Sequence, residues 1–138
     1  MAITQITDKI FMGSEHDSLT LAWQQFGITA IANVASNAND PPVYPEEYLH
    51  LRDQDDCVPV KPENMDKFLA WCEKVIPKHK VLFHCQMGAS RVSAFTISWF
   101  IKSGWSWDEA EAFIKPKRPE YNPAQQLKDS VIEYFKTT

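Results

Sequence analysis

Short apolar runs alternate with longer amphipathic segments along most of the chain. The apolar runs are rich in β-branched residues and predict buried strands, which we place at residues 9–14, 28–35, 48–52 and 80–84. The other segments have apolar residues at helical spacing and predict helices at residues 17–26, 62–76, 91–103, 107–115 and 122–135. Strands that alternate with helices in this way are typical of parallel sheets with helical crossovers. The pattern therefore predicts an α/β fold, in which a central, mostly parallel, twisted sheet is flanked by helices.

Three of the predicted helices carry additional information. The helix that begins at Pro62 has one apolar face, which includes Cys72, so this face is expected to belong to the core. The segment that begins at Arg91 is apolar almost all round, which predicts a central buried helix that stops at Gly104. The last helix begins with polar residues, and we expect Asn122 to be its N-cap.

Composition and charge narrow the range of functions. The chain has 138 residues, of which 44% are hydrophobic and 23% charged, and this predicts a single domain over residues 1–138. A formal net charge of -4 argues against a nucleic-acid partner, which would require a basic face. No apolar stretch approaches the roughly 20 residues of a membrane span, and the first ten residues lack the pattern of a signal peptide. We expect a monomeric, cytoplasmic protein with no membrane partner.

Cysteine and histidine usage indicates a reducing compartment and no metal binding. The three cysteines are an odd number without a CxxC pair, which is typical of reduced thiols. Cys72 belongs to the predicted core, and we expect Cys57 to be a bystander thiol rather than a disulfide partner of Cys85. The four histidines are scattered singly, so we expect no metal site and no cofactor.

The segment VLFHCQMGASR combines a strand end, a cysteine and an arginine. Cys85 ends the strand and a helix begins near Arg91, so the backbone amides of residues 86–91 are expected to curl around one point. Gly88 permits the unusual dihedral angles of a tight turn there. This loop would stabilise a thiolate at Cys85, which is the form in which a cysteine is nucleophilic.

The same loop suits a phosphate group. Free amides at a helix N-terminus bind tetrahedral dianions, and the planar guanidinium of Arg91 can hold two phosphate oxygens. These features favour attack of the Cys85 thiolate on phosphorus, giving a phosphocysteine that water later hydrolyses. The predicted phosphate-binding loop consists of Gln86, Met87, Gly88, Ala89, Ser90 and Arg91.

The octapeptide HCQMGASR resembles the His-Cys-x5-Arg signature of the protein tyrosine phosphatase superfamily, and its form HCQxGxSR is most similar to the small dual-specificity phosphatases. The resemblance covers nearly the whole chain, including KIFMGSEHDS, FGITAIANVA and EAEAFIKPKRP. It implies a cysteine-dependent phosphatase fold and hydrolysis of phosphomonoesters on proteins, at phosphotyrosine and at phosphoserine or phosphothreonine. It also implies that His84 orients the loop and tunes the thiolate through hydrogen bonds, with no proton transfer to substrate.

A proton donor for the leaving group is expected on a different loop, and it is typically a carboxylic acid. Three aspartates occur in the segment YLHLRDQDD, directly after a predicted strand. When that segment is aligned on its tyrosine and second leucine, Asp55 matches the general acid that the resemblance implies, and it precedes Cys85 by 30 residues. Asp53 and Asp56 stay open as alternatives.

Two positions depart from the family pattern. The family usually has Ser or Thr directly after the arginine, where the hydroxyl donates to the thiolate, but this chain has Val92. A hydrogen bond to a charged group contributes about 1.5–3 kcal/mol, so we expect slower phosphoenzyme hydrolysis but not inactivity. The segment KRPEYNPAQQL is also shorter than usual, which favours Asn122 as a helix cap over a catalytic role.

The loop contains no lysine, which argues against substrates with several phosphates, such as inositol lipids or RNA 5′-triphosphates. We expect a shallow cleft for a phosphorylated protein or peptide, with a rim from Met87 and the segment VYPEEY. Two alternatives stay open. One is a phosphate-binding module of low turnover, for which Val92 is the argument. The other is a thiol-dependent enzyme similar to arsenate reductases, which would need a resolving cysteine near Cys85.

Overall fold

The computed structural model describes residues 2–137; Met1 and Thr138, which end the predicted domain, lie outside the described residues. Its sheet has five strands in the order β1-β2-β5-β3-β4. The strands are β1 (Thr4–Gln5), β2 (Ile10–Gly13), β3 (Ala30–Asn33), β4 (Glu47–His50) and β5 (Val81–His84). β1 is antiparallel to β2 and all other neighbours are parallel, so the predicted sheet is confirmed. The hydrophobic pattern missed β1 because two residues are too few to show a period.

Within the described residues, five α-helices and one 3-10 helix surround the sheet. They are α1 (Glu15–Leu19), the 3-10 helix (Ala22–Phe26), α2 (Pro62–Val75), α3 (Arg91–Lys102), α4 (Trp107–Ile114) and α5 (Gln125–Thr137). α4 begins with a capping box, in which the Glu109 amide donates to the Ser106 hydroxyl and the Ser106 amide donates to the Glu109 carboxylate. Within residues 2–137, no helix is both long and apolar enough to cross a membrane.

Both faces of the sheet are buried. On one face Phe11 and Leu82 pack with Trp23 of the 3-10 helix. On the other face Met12 and Phe83 pack with apolar residues of α2, α3, α4 and α5. Neighbouring residues of a strand point to opposite faces, so a strand covered on both sides is apolar at every position. This arrangement explains why the strands appear in the sequence as continuous apolar runs.

Two predicted helices differ from the structure. The segment 17–26 is not one helix, because Leu21 has a left-handed backbone (φ 60°) between α1 and the 3-10 helix. Hydrophobic periodicity does not register such a change at one residue. The last helix begins at Gln125, so the prediction of Asn122 as its N-cap was wrong. The Asn122 amide instead donates to the carbonyl of Ala89 (3.0 Å), which places this segment against the predicted phosphate-binding loop.

The sheet order brings several loops together at one edge. The carboxyl ends of parallel strands lie at the same edge of a sheet, and β2, β5, β3 and β4 are parallel in that order. The loop after β5 is therefore flanked by the ends of β2 and β3, with the loop after β4 one strand further away. Cys85 directly follows β5 at this edge.

Candidate active site

The connection between β5 and α3 is held by hydrogen bonds to its carbonyl groups. The carbonyl of Gln86 accepts from the amide of Glu15 (3.0 Å). The carbonyl of Gly88 accepts from Nε of Arg118 (2.9 Å), and that of Ala89 accepts from the amide of Asn122 (3.0 Å). These three donors come from three separate parts of the chain. A peptide group whose carbonyl is bound in one direction presents its N–H in the other direction. The contacts therefore fix which way this loop presents its amides.

The amides of the same loop have no protein acceptor. Within residues 2–137, no backbone N–H of residues 86–91 donates to another protein group. The loop leads into the N-terminus of α3, where the helix dipole adds positive potential. Unpaired amides at a helix N-terminus form an anion-binding arrangement, and Cys85, only 2% exposed, lies at its start. The loop can therefore hold an anion beside the sulfur.

The guanidinium of Arg91 is fixed by two acceptors, and its Nε has no acceptor among the described residues. Nη1 donates to the carbonyl of Gln54 (2.9 Å), and Nη2 donates to Oδ1 of Asn37 (2.8 Å). Its Nε is buried and has no partner among the described residues. A buried donor without an acceptor costs free energy, and such a group in a cleft is suited to a ligand oxygen. Arg91 is thus oriented in advance for an anion.

Sequence reasoning missed Asn37, which bridges Arg91 and the loop. Its Oδ1 accepts from Arg91, and its Nδ2 donates to Oε1 of Gln86 (2.7 Å). Asn37 follows β3, which neighbours β5, so it lies at the edge of the sheet where Cys85 also lies. That topological rule is a signal that could have identified it.

A cleft of about 320 Å³ opens at Cys85. Its lining consists of Asn37, Asp56, Cys85, Gln86, Met87, Ala89, Ser90, Arg91 and Asn122. Among these residues, all within the described part of the chain, Arg91 is the only cationic side chain. The cleft thus brings the predicted loop, except Gly88, together with two residues that were not predicted to line it, Asn37 and Asn122. Its charge suits one phosphate group.

The prediction for the rim is correct for Met87 and wrong for the segment VYPEEY. Met87 lines the cleft and is 64% exposed, whereas none of residues 43–48 belongs to the lining. The hydroxyls of Tyr44 and Tyr48 donate to the Asp40 carboxylate (3.0 and 2.9 Å). These hydrogen bonds engage both tyrosines with their own loop.

The three candidate acids have different environments. Asp53 forms an ion pair with Lys61 (2.9 Å), whose hydrogen bond lowers the pKa of Asp53 and disfavours its protonated form. Asp56 lines the cleft, where its Oδ1 accepts from the Ser90 hydroxyl (2.6 Å) and the Cys57 amide (2.9 Å). Asp55 accepts from the Ser36 hydroxyl (2.5 Å) and does not line the cleft. The choice of Asp55 as the acid stays a prediction.

His84 contacts the loop through the backbone. Its side chain is completely buried, and Nδ1 lies 2.9 Å from the carbonyl of Cys85. Burial lowers the pKa of His84 to about 4, so the ring is neutral at pH 7. A carbonyl only accepts hydrogen bonds, so Nδ1 carries the proton, and Nε2 is buried without a partner among the described residues. The ring can therefore orient the Cys85 peptide group, and it has no access to substrate.

Hydroxyl groups near the cleft are committed to other partners. Val92 is completely buried and has no hydroxyl to offer Cys85. The Ser90 hydroxyl donates to Asp56, and the Ser93 hydroxyl donates to the carbonyl of Ala89. In the described part of the chain, no side-chain hydroxyl is hydrogen-bonded to Cys85.

The remaining cysteines are separate from this chemistry. Cys72 is completely buried in the core, and burial raises the pKa of its thiol well above the ordinary value. Cys57 is exposed in the loop after β4, and all three cysteines are free thiols. Within residues 2–137, no three His, Cys, Asp or Glu side chains converge in a way that could hold a metal ion.

Similarity to known proteins extends over the whole chain. The family model described as the catalytic domain of dual specificity phosphatases matches residues 10–137. Human Dual specificity protein phosphatase 16 is 32% identical over 143 residues, which cover 96% of this chain and 21% of that protein. Human Protein phosphatase Slingshot homolog 2 is 31% identical over 142 residues, which cover 95% of this chain and 9% of that protein. The chain thus spans about a fifth of the first relative and less of the second.

Solved structures share the fold at lower sequence identity. The human tyrosine phosphatase-like serine/threonine/tyrosine-interacting protein superposes with a TM-score of 0.88 at 22% identity, covering 99% of this chain and 97% of that chain. A mouse putative dual specificity phosphatase complexed with zinc tungstate superposes with a TM-score of 0.85 at 22% identity, covering 98% of this chain and 87% of that chain. The family match over residues 10–137 and the relatives at 31–32% identity show that the chain belongs to the dual specificity phosphatases of the protein tyrosine phosphatase superfamily.

Proposed function

We propose that this chain is a cysteine-dependent phosphatase that hydrolyses phosphomonoesters on proteins. One observation carries the proposal: Cys85 lines a cleft together with Arg91 and the loop residues 86, 87, 89 and 90, and among the described residues the amides of this loop and the buried Nε of Arg91 have no acceptor. Such donors bind the oxygens of a phosphoryl group and stabilise charge that develops in its transition state. The family of the chain is consistent with this chemistry.

In the first step, the Cys85 thiolate attacks phosphorus from the side opposite the leaving oxygen. An S–P bond forms while the P–O bond to the tyrosine, serine or threonine oxygen breaks. Arg91 holds two equatorial oxygens through Nε and Nη2 and keeps the phosphoryl group in line. A carboxylic acid of the loop after β4 transfers its proton to the departing oxygen.

In the second step, the carboxylate that the first step produced takes a proton from water. The resulting hydroxide equivalent attacks the phosphocysteine, the S–P bond breaks, and inorganic phosphate leaves with the thiolate regenerated. The thiolate is the leaving group here, so donors to sulfur accelerate this step. Val92 supplies none, and we therefore infer that phosphoenzyme hydrolysis limits turnover.

We assign the acid to Asp55. Asp56 lies in the cleft, but two donors, the Ser90 hydroxyl and the Cys57 amide, tie its carboxylate to the loop wall. Among the described residues, the Asp55 carboxylate accepts only from the Ser36 hydroxyl, so a change of rotamer frees it to meet a substrate oxygen. Asp56 is the second candidate because it already lines the cleft.

The charge of the cleft lining indicates the class of substrate. A lining with one cationic side chain favours a single phosphate on a protein or peptide over inositol lipids and triphosphorylated RNA. We infer that phosphotyrosine is accepted, with phosphoserine and phosphothreonine as further substrates. We further infer that residues 1–138 act as one monomeric catalytic domain in the cytoplasm.

The proposal is tested with an aryl phosphate as substrate and the variants Cys85→Ser and Asp55→Asn. Wild-type protein should release phosphate, and Cys85→Ser should abolish release while still binding tungstate. Asp55→Asn should lower kcat/KM and the rate of the aryl-alcohol burst by about 100-fold, because both report the first step, in which the proton donor is lost. Asp56→Asn is the matched control, and we expect an effect of less than about fivefold.

The outcomes separate the alternatives. Tungstate binding without phosphate release by the wild-type protein would favour a phosphate-binding module. Thiol-dependent reduction of arsenate would favour the reductase alternative, although no partner cysteine is bonded to Cys85 in the described residues. A larger effect of Asp56→Asn than of Asp55→Asn would transfer the acid role to Asp56. Phosphotyrosine, phosphoserine and phosphothreonine peptides, compared with a phosphoinositide, define the substrate class.

A further inference from the structure

Arg118 is a buried arginine outside the cleft. It lies between α4 and α5, is 1% exposed and does not belong to the cleft lining. An arginine is rarely buried completely, because removing its charge from water is costly unless strong partners replace the water. The partners of Arg118 therefore indicate what this charge is used for.

The guanidinium of Arg118 joins the phosphate-binding loop to the N-terminal part of the sheet. Nε donates to the carbonyl of Gly88 (2.9 Å). Nη1 donates to Oγ1 of Thr4 (2.8 Å), to the carbonyl of Ala2 (3.0 Å) and, at longer distance, to the carbonyl of Met12 (3.4 Å). The planar group thus holds the Gly88 peptide at a fixed distance from β1 and β2.

The backbone of Gly88 lies directly against this guanidinium. Gly88 has a left-handed conformation (φ +76°), and a Cβ atom at this position would be 2.5 Å from Nη2 of Arg118 and 3.0 Å from the carbonyl oxygen of Gly13. The turn therefore depends on a residue without a side chain. With its carbonyl bound to Arg118, the peptide of Gly88 cannot rotate without losing a charge-assisted hydrogen bond.

Most of the partners of Arg118 are neutral, so its positive charge is only partly compensated. Glu120 is its ion-pair partner at 3.9 Å, and the four hydrogen-bond acceptors are carbonyl and hydroxyl oxygens. Burial lowers the pKa of Arg118, and the charges of Glu120, Asp17 and Cys85 oppose that shift. Arginine nevertheless keeps its proton in proteins, so a positive charge lies against the loop that follows Cys85.

We propose that Arg118 is a positioning residue of the phosphate-binding loop, which holds the Gly88 carbonyl away from the cleft and supplies a second positive charge near Cys85. This inference rests on the proposed function of the same loop. Arg118 acts through the orientation of the loop amides and through its field, and of the two arginines only Arg91 contacts the phosphate. Its loss therefore weakens anion binding and the reactivity of the Cys85 sulfur together.

The test compares Arg118→Met, Arg118→Lys and Arg52→Met. The last variant removes the same charge from an exposed arginine that pairs with Asp40, and it is the matched control. Three quantities are measured: kcat on an aryl phosphate, the rate of Cys85 alkylation by iodoacetamide at pH 6, and tungstate affinity by calorimetry. We expect Arg118→Met to reduce each by about tenfold or more, because it loses a charged hydrogen bond and a nearby charge. Arg52→Met should change each less than twofold.

Arg118→Lys separates charge from geometry. It should keep most of the alkylation rate, since the charge remains, and lose several-fold in kcat, since an ammonium lacks the planar fork. Wild-type values of all three quantities in Arg118→Met, with circular dichroism of a folded protein, would overturn the inference. If Arg118→Met does not fold, unchanged kcat in Arg118→Lys overturns it. Failure of wild-type protein to release phosphate would refute the proposed function alone, because alkylation and tungstate binding still report on Arg118.

Discussion

Replacing Gly88 by alanine tests whether the loop requires a residue without a side chain. Gly27 offers a control with nearly the same backbone, because φ is +74° at Gly27 and +76° at Gly88. The surroundings differ. A Cβ at Gly27 would meet only Cδ of Lys80, at 3.9 Å, whereas a Cβ at Gly88 would meet Nη2 of Arg118 at 2.5 Å and the Gly13 carbonyl oxygen at 3.0 Å. The pair thus separates backbone strain from steric overlap.

The two terms have distinct magnitudes. A left-handed conformation costs an alanine about 1–2 kcal/mol, which applies to both variants. Overlap in a packed site adds about 1–3 kcal/mol, and this term applies to Gly88→Ala alone. We therefore expect Gly88→Ala to lower the free energy of unfolding by about 1–3 kcal/mol more than Gly27→Ala does. Because the loop must move away from Arg118, kcat should fall by about 100-fold in Gly88→Ala only.

Urea denaturation at pH 7.5 measures the free energies of unfolding, and steady-state hydrolysis of an aryl phosphate measures kcat. The two variants should show equal slopes in urea, which indicates that the difference lies in stability. Equal destabilisation by both substitutions would refute the steric reasoning. Full activity of Gly88→Ala would refute the claim that the position of this peptide matters for catalysis.

Two further predictions concern the residues on either side of the loop. The pKa of His84 is about 4 in the folded protein and 6.5 when exposed, so as the pH falls from 6.5 towards 4 the unfolded chain binds a proton that the folded protein does not. At about 1.4 kcal/mol per pKa unit, the free energy of unfolding of the wild-type protein should fall by about 3 kcal/mol over this pH range, relative to that of His84→Asn. Urea denaturation at several pH values measures both free energies, and an equal pH dependence of the two proteins would contradict this prediction. Val92→Thr adds a hydroxyl next to the cleft and keeps the shape of the side chain nearly constant. A donor to the leaving sulfur speeds phosphoenzyme hydrolysis, so this variant should raise kcat by about tenfold and reduce the burst of aryl alcohol. An unchanged burst amplitude would show that another step limits turnover.

The elements that sequence analysis predicted well are those with a strong local signal. Cys85 and Arg91 are six residues apart, between the end of β5 and the start of α3. A connection this short between a strand and a helix can adopt few conformations. The buried faces of α2 and α3 follow from apolar spacing alone. The split of the segment 17–26 was missed because it depends on the left-handed backbone of Leu21, which no periodic pattern reveals.

The parts of the site that were missed come from distant segments. Asn37 and Arg118 reach the loop from positions 54 and 27 residues away from Arg91 along the chain, and no local spacing relates them to Cys85. Asp53, Asp55 and Asp56 have identical side chains, so the sequence does not distinguish them. The path of their loop decides that Asp53 pairs with Lys61 and that Asp56 lines the cleft.

The amino-acid sequence by itself determined the α/β class and the absence of a hydroxyl at Val92, and it was enough to predict the nucleophile and the phosphate-binding loop, because each depends on residues close together in the chain. The tertiary structure decided what orients that loop: the order of the parallel strands brings Asn37 to Arg91, and the buried guanidinium of Arg118 holds Gly88. The physical reason is that a single hydrogen bond between distant segments leaves no periodic trace in the sequence, although such bonds fix the direction in which the loop amides point.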